Sequence, residues 1–300
     1  MQPKELLKSF LRSQVQLYKF YARIRYGKIA RIRDKIESFS AFKEINRLGT
    51  IVFENDKVFF RTQSQEEFRY IPSLMGGLLG LEYNEQFEMA DINYLINTLP
   101  SDAVVLDIGA NFGFYSIRIA NKCSQSKVHA FEPVADTARI LRENIARNGL
   151  SSQITVNNLA LGDHCGSSLI TADRYAGNHL TMHQNYSGKT QLTELTTVDQ
   201  YVLSKGLAKL NLIKCDVEGA ELMVMSGATS VLKTMRPIVM LEIASEWTTR
   251  FSYKPSDLFD FMDQCGYTRR SPISLNSEAW PNSCRQDTNN FYFFPNYHDI

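Results

Sequence analysis

A chain of 300 residues with 44% hydrophobic and 22% charged residues can bury a sizeable core, and its 16 Gly and 9 Pro exclude collagenous and low-complexity classes. Lys and Arg number 33 against 32 Asp and Glu, so a net charge of +1 gives no global field for a polyanionic partner. Cys123, Cys165, Cys215, Cys265 and Cys284 contain no Cys-x-x-Cys pair and fit a reducing cytosol. No apolar run reaches the roughly 20 residues that span a bilayer, and the N-terminus lacks the apolar core of a signal peptide. A soluble, cytoplasmic protein is expected.

Residues 1–40 hold ten Lys/Arg against three Asp/Glu. Within them Leu7, Phe10, Leu11, Leu17, Tyr18, Tyr21 and Ile24 recur at helical spacing, which predicts a basic amphipathic helix. Such a helix packs on its own domain, on a dimer mate or peripherally on an anionic membrane. TIVFENDKVFFRT at 50–62 reads as a hairpin around Asn55-Asp56. Three glycines in 72–87 disfavour a helix there and suggest a flexible connection. Residues 1–90 are therefore expected to form a helix-plus-hairpin cap, and 91–300 a second domain.

From residue 101 apolar runs alternate with helical patterns. The runs at 104–109, 127–132, 154–161, 210–216 and 238–243 predict strands, and 113–122, 136–148, 194–205 and 219–234 predict helices. A helix near 255–265 and a strand at 289–295 close the chain. Strands separated by helices mean an α/β fold with a mostly parallel sheet buried on both faces.

Ligands of open α/β sheets sit beyond the carboxyl ends of the strands. The first run ends in Asp107-Ile-Gly109-Ala110-Asn111-Phe-Gly113, a glycine turn into a helix, and the second ends in Glu132-Pro133. An acid about 20 residues past a glycine turn is placed to bond a ribose diol. The Gly-x-x-x-Gly spacing is not that of a dinucleotide site. Asp107 before the turn suits an ammonium or sulfonium and repels a diphosphate, so S-adenosylmethionine fits. The fourth run ends in Lys214-Cys-Asp216-Val-Glu218-Gly-Ala-Glu221, and the fifth in Leu241-Glu242. Asp216 is a candidate to hold the amino end of the cofactor or to accept a proton from an alcohol; Glu218 and Glu242 are the further catalytic candidates. Glu221 suits a helix first turn. Asp216 with Glu242 lacks a third ligand for a metal. His179 and His183 fall in a polar loop expected over the site, where either suits a base. Cys215 reads as core.

These segments, with VHAFEPV at 128–134, NLALGD at 158–163 and LIKCDVEGAELMVMSGA at 212–228, resemble the FkbM-type S-adenosylmethionine-dependent methyltransferases. The resemblance implies a class I, Rossmann-like seven-stranded sheet with an antiparallel last strand, and methylation of a hydroxyl on a sugar, glycan or small natural product. It places cofactor binding on Asp107, Gly109, Ala110, Asn111, Gly113, Glu132 and Pro133. It adds an adenine-side loop from Ala160 and Leu161 to Asp163, and matches Asp216 and Glu218 to an acidic block. Tyr83-Asn84-Glu85 resembles a short Tyr-Glu element with Asn inserted. Other readings are a protein or RNA acceptor recruited by the basic helix, and a cofactor-binding module without catalysis. A nucleic-acid acceptor is not expected, since the chain lacks an Asn/Asp-Pro-Pro-Tyr/Phe clamp and a Pro-Cys nucleophile.

Overall fold

A computed structural model describes residues 49–55, 57–71, 89–173, 177–181, 186–270 and 289–296. The expected basic helix, the connection at 72–87, Tyr83 to Glu85 and His183 lie outside these residues. The chain divides into two compact units, Met1–Met89 and Ala90–Ile300.

In the first unit β1 (Gly49–Glu54) and β2 (Lys57–Thr62) form the expected antiparallel hairpin, with Asn55 left-handed at its turn. A third strand, β3 (Glu67–Arg69), adds to β2. Phe59, Phe60 and Phe68 are buried in this small sheet. Its second turn is fastened by Glu66, whose carboxylate accepts the Thr62 hydroxyl.

The second unit opens with α1 (Met89–Thr98), followed by β4 (Val104–Ile108), α2 (Phe114–Lys122), β5 (Lys127–Phe131), α3 (Ala135–Arg147) and β6 (Ile154–Asn157). It continues with β7 (Ala160–Leu161), β8 (Gly166–Thr171), β9 (Thr190–Thr196), α4 (Val198–Lys205) and β10 (Leu212–Cys215). Then come α5 (Glu221–Ser226), α6 (Thr229–Thr234), β11 (Ile238–Glu242), α7 (Ser245–Thr248), α8 (Pro255–Gln264), β12 (Tyr267–Arg270) and β13 (Asn290–Pro295). The seven-stranded sheet runs β12-β13-β11-β10-β4-β5-β6. The five strands from β11 to the β6 edge are parallel, and β13 is antiparallel to both neighbours. β4 and β10 are apolar except for Asp107 and Lys214, as strands buried on both faces of a parallel sheet are, and Leu106, Ile213, Leu241 and Phe293 are fully buried there. Among the described residues no helix is long and apolar enough to cross a membrane.

Three expectations are corrected by packing. The run at 154–161 is two strands: Asn158 turns the chain by donating to the Glu132 and Pro133 carbonyls at 2.8 and 2.9 Å, and β7 joins a second sheet, β7-β9-β8. The helix expected over 194–205 starts only at Val198, capped by the Thr197 hydroxyl on the Gln200 N–H at 3.0 Å. The preceding segment is β9, which pairs antiparallel with β8, so the two ends of the loop expected over the site are strands. The helix expected over 219–234 is broken at Gly227, where a Cβ would lie 2.0 Å from the Gly162 carbonyl oxygen. Asp199 then accepts the Ser230 and Val231 N–H groups at 2.9 and 2.8 Å, which starts α6.

Candidate active site

Strand order reverses around β4, which lies between β10 and β5, and the carboxyl ends of these strands form the site. After β4 the chain turns through Gly109 at φ 77° and Asn111 at φ 51°. A Cβ on Gly109 would meet the Asp216 carbonyl oxygen at 1.8 Å, so only glycine lets the tips of β4 and β10 approach this closely. Glu132, ending β5, locks the turn: its carboxylate accepts the Asn111 N–H at 3.1 Å and the Val134 N–H at 2.9 Å. Burial pushes its pKa up to about 7 despite these bonds.

Asp107 is fully buried beneath the turn, with the Ser116 hydroxyl donating to it at 2.5 Å. Burial raises its pKa, and the nearby Lys214 only partly opposes this. Reading the chain alone gave Lys214 no role in this cluster. Its ammonium lies 3.0 Å from Asp216 Oδ2, 3.4 Å from the Gly109 carbonyl and 3.9 Å from Asp107 Oδ1. The signal for it was present: Lys214 is a cross-strand partner of Asp107, and an interior lysine in a buried strand needs paired acids.

Around this cation the acids separate. For Asp216, burial opposes ionisation, but Lys214 and a hydrogen bond with Glu242 hold its pKa below the usual value. Glu218 behaves oppositely: burial and the charge of Asp216 raise it to about 8. Its backbone is left-handed at φ 59°, unusual for a non-glycine residue. The turn is held by Glu221, which is fully buried and accepts the Val217 and Gly219 N–H groups at 3.0 and 3.1 Å and the Tyr253 hydroxyl at 3.2 Å. Glu221 therefore builds the loop rather than simply complementing a helix dipole.

A pocket of about 650 Å³ joins these parts. Gly109, Asn111, Glu132 and Pro133 form one side, Asp216 and Glu218 another, and Leu159, Ala160 and Leu161 an apolar wall. Opposite stand Ile170 of β8 and Asn178 to Leu180, a segment clipped to β8 by the Thr171 N–H on the His179 carbonyl and the His179 N–H on the Thr171 hydroxyl, both 3.0 Å.

With this geometry in place, residues 107–269, just over half of the chain, match the methyltransferase FkbM domain. The chain belongs to the FkbM methyltransferase family. It is 29% identical to the AMB antimetabolite synthetase AmbE of Pseudomonas aeruginosa, over 60% of this chain and 10% of that protein. It is 28% identical to the hexuronic acid methyltransferase AglP of Haloferax volcanii, over 60% of this chain and 68% of that one. The crystal structure of methyltransferase FkbM from Methylobacillus flagellatus aligns with 87% of this chain and 60% of its own, at 15% identity and TM-score 0.43.

In this FkbM methyltransferase, eight of the expected site residues line one pocket: Gly109, Asn111, Glu132, Pro133, Ala160, Leu161, Asp216 and Glu218. Asp107, Ala110 and Gly113 stand outside its wall. Asp107 is occupied by Ser116 and Lys214, and Gly113 starts α2 against Leu141. Asp163 is exposed and paired with His164 at 2.6 Å, because the chain has already left the site along β7. Glu242 acts on the pocket through Asp216. His179 lines the pocket, with Nδ1 3.0 Å from the Gly177 carbonyl. Among the described residues no group of three or more His, Cys, Asp or Glu could hold a metal. Cys215 is wholly buried, as a core residue should be.

Proposed function

We propose that this chain is an S-adenosylmethionine-dependent O-methyltransferase acting on a hydroxyl of a sugar, glycan or small natural product. The observation that carries the reading is a single pocket in which an anchored acid, Glu132, faces two acids with opposed protonation, Asp216 and Glu218. The residues fit the cofactor. Glu132 has lone pairs beyond those used by its two backbone donors, as a ribose diol requires. The Asn111 side-chain oxygen is buried without a hydrogen-bond partner, which suits a ligand donor. When bound, S-adenosylmethionine supplies a methyl group on a sulfonium; transfer to a hydroxyl oxygen breaks the carbon–sulfur bond, leaves a thioether and releases the hydroxyl proton.

The chain's own groups divide the remaining work. Asp216, kept anionic, holds a cationic amino group. Glu218, titrating near 8, takes the acceptor proton, since a base is most effective when its pKa lies near the working pH. The apolar wall at Leu159 to Leu161 receives a flat base. The name of AglP, a hexuronic acid methyltransferase, supports a sugar as acceptor class.

The test is calorimetric titration with S-adenosylhomocysteine, followed by transfer of labelled methyl groups to hexuronic acids, neutral glycans and small alcohols. Binding with transfer to a hydroxyl is the expected result. Absence of binding overturns the cofactor assignment, and binding without transfer to any hydroxyl overturns the O-methylation reading.

A further inference from the structure

We infer that Lys214 is a positioning residue whose ammonium clamps the Asp216 carboxylate to the Gly109 turn, so that capture of the cationic end of the cofactor depends on it. The inference rests on the cofactor reading above and extends it to a residue with no place in the pocket wall. Lys214 and Asp216 are two apart on extended chain and so share a face, and the parallel ladder sets Lys214 beside Asp107 on that face. The lysine side chain is 5% exposed, whereas that of Asp216 is 31% exposed. The cation is therefore interior and the carboxylate reaches the pocket. The ammonium donates to Asp216 and to the Gly109 carbonyl, Asp107 Oδ1 lies 3.9 Å away as an ion-pair contact, and the centre of the Tyr115 ring lies 5.1 Å away. A lysine spent in this way is neither nucleophile nor base.

Its effect is electrostatic and geometric. Asp107 from β4, Asp216 after β10 and Glu242 ending β11 all face this one cation. Of these acids Asp216 is the one that reaches the pocket, with its side chain 31% exposed against 5% for Lys214. Without the cation, Asp216 would lose the main interaction that opposes the cost of its burial, and with it its hold on a cationic group.

The test is S-adenosylhomocysteine titration of the full chain as wild type, K214M, D216N and K214M/D216N at pH 7, with near-ultraviolet circular dichroism as a check on folding. K214M and D216N should each weaken binding at least about tenfold, and the double variant no more than the larger single loss, because both act through one carboxylate. K214M should also lose affinity between pH 7 and pH 5.5 more steeply than wild type, an excess slope absent from the double variant. If K214M does not fold, the double variant, which removes the Lys214–Asp216 pair as a unit, is compared with D216N. Equal affinity supports the clamp, and a further tenfold loss overturns it. Wild-type affinity in K214M, or losses that add, overturn it as well. Failure of the wild type to bind would instead remove the cofactor reading, and the clamp with it.

Discussion

Glu132 and Glu218 are both glutamates raised from about 4.5, and the proposed function gives them opposite ends of the reaction. A ribose diol donates to the ionised form of Glu132, so S-adenosylhomocysteine affinity should rise between pH 6 and pH 8 and level off once Glu132 is ionised, above about 7. E132Q retains a side-chain oxygen for one backbone N–H but removes the charge. Calorimetry should find it about 10–100-fold weaker, with a smaller pH response, the loss expected for charge-assisted hydrogen bonds. At Glu218 the expectation differs in kind. Turnover should climb through about pH 8, and E218Q should lower kcat by about 100-fold or more while S-adenosylhomocysteine affinity stays within a few-fold. Equal losses of kcat and affinity in E218Q would show that it holds cofactor instead. Both acids were legible in the sequence from their places at strand ends; their opposed roles depend on burial and on the neighbouring Asp216.

At the level of elements, the site depends on loops that distant residues hold in shape. The turn after β10 is fastened by Glu221 and Tyr253, and the break between α5 and α6 by Asp199. Replacing Asp199 by Ala removes the acceptor of two helix N–H groups and should cost about 1–2 kcal/mol of stability by denaturant titration, the usual worth of a lost cap. G109A should be far more damaging, because its φ of 77° and the Asp216 carbonyl 1.8 Å from a new Cβ leave it no relaxed geometry. Soluble yield and S-adenosylhomocysteine binding should both fall. Periodicity predicted α2, α3 and the parallel strands because each buries a regular apolar pattern. It misread 154–161, 194–205 and 219–234, where Asn158, the Thr197 cap and the Gly162 contact interrupt that pattern from outside the element.

Among the described residues, buried Glu132 and Glu221 carry pKa values raised to about 7, and half-buried Glu218 one raised to about 8. The folded state therefore holds protons that the unfolded chain has released above about 4.5. Their contribution to stability is full below that value and is lost as pH rises through 7 to 8. Asp216, held low, acts in the opposite sense, and its contribution is lost only as pH falls below 3.8. The thermal midpoint should thus fall between pH 5 and pH 8, and E218Q should flatten the decline. A midpoint that rises over this range would contradict the burial that the site requires.

The sequence by itself determined the order of strands and helices, the glycine turn after β4 and the acids at the strand ends, because each is written in local spacing and residue type. It also carried enough of the family's motifs to indicate the chemistry. Only the tertiary structure decided what those acids do. The parallel register of β10 on β4 brings Lys214 onto Asp107, the chain's bend at Gly109 brings Asp216 within reach, and burial then separates their protonation. Electrostatic character belongs to neighbours in space, and those are set by folding rather than by position along the chain.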